Sequence, residues 1–173
     1  MVINRFFKLF MIAFVISLVG FSACKKEEVD EQENLNVLKI KIGTTTFTWS
    51  DIDGAGGAAP KIDTIRLIPN SSFSSEITIQ DGSVSPVKDF TPEIITEKND
   101  HLFVYKPTGN LTVTDLSKDG NSKNFGQVAT VKTTTAGNGS LQIILKHLPN
   151  KSAADPSTTG ETDIDVVFPV VIK

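Results

Sequence analysis

The two histidines are the side chains of this sequence best suited to bind a metal ion. His101 follows Asp100 and begins a stretch of alternating polarity, and His147 ends another such stretch. Glu93 and Glu97 lie one helical turn apart just upstream, so their carboxylates would share a helix face. If the two stretches are neighbouring strands, the imidazoles and carboxylates converge, and that donor set suits zinc, copper or iron. The candidate ligands are His101, His147, Glu97 and Asp100; alternatively, each histidine caps a strand and binds a loop carbonyl.

A second candidate for cation binding is the loop Asp51-Ile52-Asp53-Gly54. Alternating carboxylates followed by a turn glycine resemble the opening of a calcium-binding loop, in which oxygen ligands converge at a sharp bend. The following residues, 55–59, supply no further carboxylate. Asp51 and Asp53 are therefore calcium candidates, and the alternative is a hairpin turn that uses Asp and Gly for its backbone geometry.

Catalytic motifs are absent from the sequence. No serine lies in a strained nucleophile motif, and the glycines at 54–57 lie between two predicted strands, whereas a phosphate cradle joins a strand to a helix. Cys24 is the only cysteine, so the chain has no disulfide. We expect a protein that is not an enzyme, and the candidate cofactor is a divalent metal: zinc, copper, iron or calcium.

Cys24 ends a segment with the layout of a secretory signal. Arg5 and Lys8 precede an apolar run over residues 9–20, and Ser22-Ala23-Cys24 resembles a lipobox. We expect a lipoprotein signal peptide over residues 1–23, cleavage before Cys24, and acyl chains such as palmitate on its thiol. Several chains on one residue hold a protein stably on a membrane. Loss of Arg5 and Lys8 changes the formal net charge from −3 to −5, which disfavours nucleic acid as a partner.

Residues 24–35 are polar and charge-dense, as expected of an acidic tether. Lys26-Glu27-Glu28 resembles the surface-export signal of Bacteroidota lipoproteins, in which a lysine and two acidic residues follow the lipidated cysteine. The motif predicts an outer-membrane protein that faces the cell exterior. The alternative is a solvated spacer without an export role.

The remainder, residues 36–173, reads as one all-β domain. Apolar residues alternate with polar ones in many short segments, and separators such as Asp81-Gly82 and Asn138-Gly139 are rich in turn formers. This pattern predicts an immunoglobulin-like antiparallel β-sandwich, preferred over a barrel. One stretch, Thr91–Asn99, predicts a short helix with Thr91 as its N-cap and Pro92 in the first turn. Pro149–Glu161 predicts a long exposed loop.

Several longer runs carry a family resemblance: residues 47–54, 62–67, 90–101, 145–151 and 160–170. From about Leu38 to Lys173 the chain resembles small, uncharacterised Bacteroidota surface lipoproteins found beside TonB-dependent receptors. Some members are labelled as type 1 periplasmic binding folds, which alternate strands and helices in two lobes, unlike this β-rich chain. The resemblance implies a binding or accessory role in nutrient or metal uptake, with a TonB-dependent receptor as partner. The alternative is a structural or adhesive surface protein without a small-molecule ligand.

Overall fold

The structure is a computed structural model that describes residues 34–173. The predicted signal peptide, Cys24 and the tether up to residue 33 lie outside the described residues. Within the described part, no helix is long and apolar enough to cross a membrane. In chain order the elements are β1 (Val37–Ile42), β2 (Thr45–Ser50), β3 (Lys61–Ile62), β4 (Ile65–Leu67), β5 (Ser72–Asp81), β6 (Lys88–Asp89), α1 (Thr91–Thr96), β7 (His101–Pro107), β8 (Leu111–Thr114), β9 (Val128–Thr133), β10 (Gly137–His147), a 3-10 turn (Pro156–Thr158) and β11 (Glu161–Ile172).

These strands form two sheets. The large sheet has the order β3-β2-β1-β5-β9-β8, and the short β6 also pairs with β5. The small sheet has the order β4-β11-β10-β7. All pairs are antiparallel except β4 with β11. The predicted all-β sandwich is therefore confirmed.

The core lies between the two sheets because the strands alternate buried and exposed positions. In β11, for example, Ile164, Val166, Phe168 and Val170 are buried while the residues between them are largely exposed. One continuous apolar cluster joins residues of both sheets, including Leu38 and Ile79 from the large sheet. Burying each such side chain contributes about 1.5–3 kcal/mol, and in the absence of a disulfide this burial is what holds the sheets together.

The predicted helix is present but shorter and differently capped. It spans Thr91–Thr96, and the chain then turns into β7. Phe90 occupies the N-cap position, so the prediction that Thr91 caps the helix is wrong. The Thr91 hydroxyl instead accepts a hydrogen bond from the Ile79 backbone N–H at 2.9 Å. Pairing with β5 satisfies the hydroxyl, and Ile94 is the one buried helix residue.

Candidate functional site

The histidines meet at one end of the small sheet. Strand register makes His101 of β7 the direct cross-strand partner of His147 in β10. Their rings stack, with centroids 4.9 Å apart and planes 9° from parallel. Residues directly opposite in an antiparallel pair share one face of the sheet, and here that face also carries the core residue Phe103. The predicted convergence of the two imidazoles is confirmed.

The loop before β7 fixes the orientation of His101. Its Nδ1 lies 3.1 Å from the backbone carbonyl oxygen of Glu97, which ends α1. Because a carbonyl oxygen only accepts hydrogen bonds, Nδ1 carries the proton in this contact. In the neutral ring this leaves Nε2 with a free lone pair. His101 is buried, whereas His147 is only partly buried.

Glu97 and Asp100 approach the histidines through their backbones. Glu97 offers its carbonyl to His101, and the Asp100 carbonyl accepts a hydrogen bond from Leu148 N–H at 2.7 Å. Both side chains are exposed. Within residues 34–173, no three His, Cys, Asp or Glu side chains are grouped closely enough to hold a metal ion as they stand. The metal hypothesis therefore stays a prediction.

A carboxylate that the sequence pattern did not single out lies on β11, two residues after Glu161, the cross-strand partner of His147. The ladder between β10 and β11 shifts between Leu145 and Lys146, so that Asp163 is the extra residue of a β-bulge. Asp163 is exposed, but the protein removes part of the water around its carboxyl. This partial desolvation raises the pKa of Asp163 above its ordinary value, against the opposing fields of His147 and His101.

Lys146, next to His147, is a further charged group near this end of the sheet. It is buried, and its Nζ donates to the Gly160 carbonyl at 3.1 Å and to the Thr162 hydroxyl at 2.8 Å. These bonds hold the ammonium on the outer face of the sheet, because Lys146 pairs with Thr162 and Leu102. The histidines point to the inner face, so the ammonium and the imidazoles lie on opposite faces.

A groove runs along β7, the edge strand of the small sheet. Its volume is about 450 Å³, and it lies between the segment before β9 and the 3-10 turn. Its lining combines apolar residues with lysines and includes Leu102, Val104, Leu116, Lys118, Lys123 and Pro156. Its lining also includes Lys151 and Asp155. The Asp155 carboxylate is engaged by its own turn, where it accepts hydrogen bonds from the Ser157 backbone and hydroxyl.

Two loops that frame the groove are joined by a buried ion pair. Lys151 Nζ lies 2.9 Å from Asp119 Oδ2, with side-chain exposures of 8% and 1%. Asp119 Oδ1 accepts the backbone N–H groups of Asn121 and Lys123, and Lys151 also donates to the Lys98 carbonyl. Burial alone would raise the pKa of Asp119, but the hydrogen bonds from Lys151 and the two N–H groups hold it below its ordinary value. Nothing in the sequence singled out this pair.

The groove floor is fixed by Tyr105. Its hydroxyl donates to the Gly126 carbonyl at 2.6 Å, and burial raises the pKa of the phenol. The Phe103 backbone N–H donates to the Phe125 carbonyl at 2.7 Å. The segment before β9 is thereby attached to the edge of β7.

The calcium candidates lie in the loop between β2 and β3. Asp53 Oδ2 accepts the Ala58 backbone N–H at 2.7 Å and so closes the loop on itself, as the turn interpretation expects. Asp51 Oδ1 is buried and accepts no hydrogen bond from any group of the described chain. No third carboxylate joins these two within residues 34–173, and calcium binding stays a prediction.

Comparison of the chain with protein-family models, with curated proteins and with solved structures gave no match.

Proposed function

We propose that this protein is a non-enzymatic binding module, anchored by lipid on Cys24 to the outer membrane and displayed on the cell exterior. It acts as an accessory to a TonB-dependent uptake system. The observation that carries the binding role is the groove along β7. Small-molecule sites are concave clefts of roughly 300–1,000 Å³ that combine apolar walls with placed polar groups. The groove has this size, and its lining is divided about equally between apolar and polar residues.

The charge on the rim indicates what the groove would take. Lys118 and Lys123 line the groove together with apolar residues such as Leu116 and Pro156. The Lys118 ammonium also donates to the Asn124 side-chain oxygen, and the Asp155 carboxylate is occupied by hydrogen bonds within its own turn. A ligand with an apolar body and a negatively charged group would match both features. The proposed ligand class is therefore a small amphipathic anion, or an anionic segment of a partner protein.

The groove is held by rigid elements of the fold, and precise binding sites depend on such elements. One wall is the backbone of β7, and the loops around it are joined by the Asp119–Lys151 pair. Little rearrangement would be needed to bind a ligand, which lowers the entropic cost of association.

The edges of the sheets favour a binding module over an adhesive protein. Exposed long edge strands invite pairing with other chains. Here β3, β4 and β8 have two, three and four residues. The longer edge strand β7 already donates a hydrogen bond to Phe125. Adhesion by strand pairing is thus poorly supported.

The test is cross-linking of the native lipoprotein in intact cells, followed by mass spectrometry. We expect recovery of a TonB-dependent receptor with the wild-type protein and its loss with Val104→Glu in the groove. Val167→Glu is the matched control, since Val167 is 52% exposed on the outer face of the same sheet. Recovery of abundant envelope proteins alone would contradict the accessory role, and equal recovery with both variants would contradict the groove as its contact.

The anchoring part is tested separately. Cys24→Ser removes the acylated thiol, so we expect palmitate labelling to disappear and the protein to leave the membrane fraction. Replacement of Glu27 and Glu28 by alanine keeps the anchor and should reduce the accessibility of the protein to external protease. Persistent labelling of the Cys24 variant would overturn the lipoprotein assignment.

A further inference from the structure

We infer that His101, His147 and Asp163 form a binding site for one divalent transition-metal ion at the end of the small sheet. This site is separate from the groove and does not depend on the proposed accessory role. Its starting point is the direct cross-strand pairing of the two histidines. Opposite residues of an antiparallel pair have Cβ atoms about 4.5–5.5 Å apart, which lets both imidazoles reach a single ion.

Nε2 of His101 is oriented as a metal donor. Metal-bound histidines almost always donate their other ring N–H to a carbonyl or carboxylate, which fixes the tautomer. His101 has this arrangement, because its Nδ1 is held by the Glu97 carbonyl. Its Nε2 is left as the metal donor. Among the ring nitrogens of both histidines, this contact is the one hydrogen bond found within residues 34–173.

Asp163 supplies the negative charge. The bulge places it on β11 two residues after Glu161, the cross-strand partner of His147, and its side chain is exposed. Glu161, the cross-strand partner of His147, adds a second carboxylate field at the same end. The buried Lys146 ammonium is bound to Gly160 and Thr162 on the opposite face. The Lys146 charge still acts on the Asp163 carboxyl, but two carboxylates stand against this one ammonium, so the net local charge favours a cation.

Binding requires one local adjustment. The rings now lie flat against each other, and the three groups are not yet arranged around a common point. Binding would require the ring of His147, which is partly buried at the end of its strand, to turn towards Asp163 while His101 keeps its hydrogen bond to Glu97. Two imidazoles and one carboxylate suit zinc, copper, nickel or iron, and disfavour calcium and magnesium, which prefer oxygen ligands.

The test is zinc titration of the full-length lipoprotein in detergent, with a chromophoric chelator as competitor. We expect one equivalent of zinc to bind. Loss of a residue that only orients a metal ligand weakens metal affinity roughly 10–100-fold. His147→Ala removes a ligand itself, so it should weaken zinc binding by more than this. Asp163→Asn should weaken zinc binding by about tenfold. Asp165→Asn is the matched control, because Asp165 is an exposed β11 carboxylate whose partner is Gln142; it should bind zinc like the wild type.

A folding defect is separated from loss of the site by His101→Phe. Phenylalanine keeps an aromatic ring against His147 but has no nitrogen donor, and its circular dichroism should match that of the wild type while zinc binding is lost. Unchanged zinc affinity in His147→Ala or in folded His101→Phe would overturn the site. Equal affinities of the Asp163→Asn and Asp165→Asn variants would remove Asp163 from it.

Discussion

The two polar clusters at β7 differ in how completely their hydrogen-bonding capacity is used. Around Asp119 and Lys151, both carboxylate oxygens and the ammonium have partners within the described chain. In the histidine pair, only Nδ1 of His101 has one among the described residues. A cluster whose groups are all satisfied internally holds loops together, whereas one with free donor atoms is available to a ligand. We therefore interpret the first cluster as architectural, and the second is the one proposed to bind metal.

The largest expected effect tests the architectural cluster. Lys151→Met leaves Asp119 buried with only backbone donors, and breaking a buried ion pair from one side costs about 3–5 kcal/mol of unfolding free energy. The matched control is Lys132→Met, because Lys132 pairs with Asp115 at 3.8 Å with both side chains exposed. Exposed pairs contribute roughly 0–1 kcal/mol. Urea unfolding measures both; similar losses would show that burial does not distinguish the two pairs.

The same cluster predicts a pH dependence. The folded-state pKa of Asp119 lies below the ordinary value of 3.8. Its stabilising contribution is therefore full above that value and is lost as the pH falls through the lower folded-state pKa. We expect the stability difference between wild type and Asp119→Asn to be constant from about pH 6 to 8 and to narrow below about pH 4. A difference that grows on acidification would contradict the assignment.

The binding cluster is tested by the response of stability to zinc. A ligand that binds only the folded state stabilises it by about 2.7 kcal/mol at a hundred times its dissociation constant. We expect this increase in wild type and in Lys132→Met, and none in His147→Ala, by thermal unfolding with and without zinc. Equal stabilisation of His147→Ala would place the zinc elsewhere on the chain.

The smallest effect concerns Tyr105 of β7, which attaches the segment before β9. Tyr105→Phe removes the hydroxyl that donates to the Gly126 carbonyl, and a typical hydrogen bond contributes about 0.5–1.5 kcal/mol. We expect a loss of this size in urea unfolding. Thr112→Val, which removes an exposed hydroxyl on β8, is the control and should change stability by less.

The alternating pattern predicted most of the fold because burial imposes it directly. Leu38, Ile40 and Ile42 alternate with lysines and are all buried in β1. The two-residue strands β3 and β6 were not predicted. Two residues are too few to show an alternating pattern. These strands exist because they pair with β2 and β5 in the folded protein.

The candidate site was predictable only in part. The alternation along the two predicted strands indicated that the histidines would meet, provided that β7 and β10 were neighbours. Asp163 was missed because a β-bulge shifts the strand register by one residue. The alternation of apolar and polar residues in the sequence does not reveal where such a bulge lies. The Asp119–Lys151 pair was missed for a different reason: two charged loop residues 32 positions apart look like ordinary surface residues until the fold buries them.

The position of β11 has a consequence for how the chain matures. In the small sheet β11 lies between β4 and β10, and its parallel partner β4 lies about a hundred residues earlier. While the chain is being synthesised, β1 to β9 can complete the large sheet, but the small sheet that covers its apolar inner face stays incomplete until residues 161–172 emerge. Pairing over such separations is slow because loop closure precedes any gain from contact. Nascent chains that end before β11 should therefore bind holdase chaperones and should lose that affinity once β11 is complete.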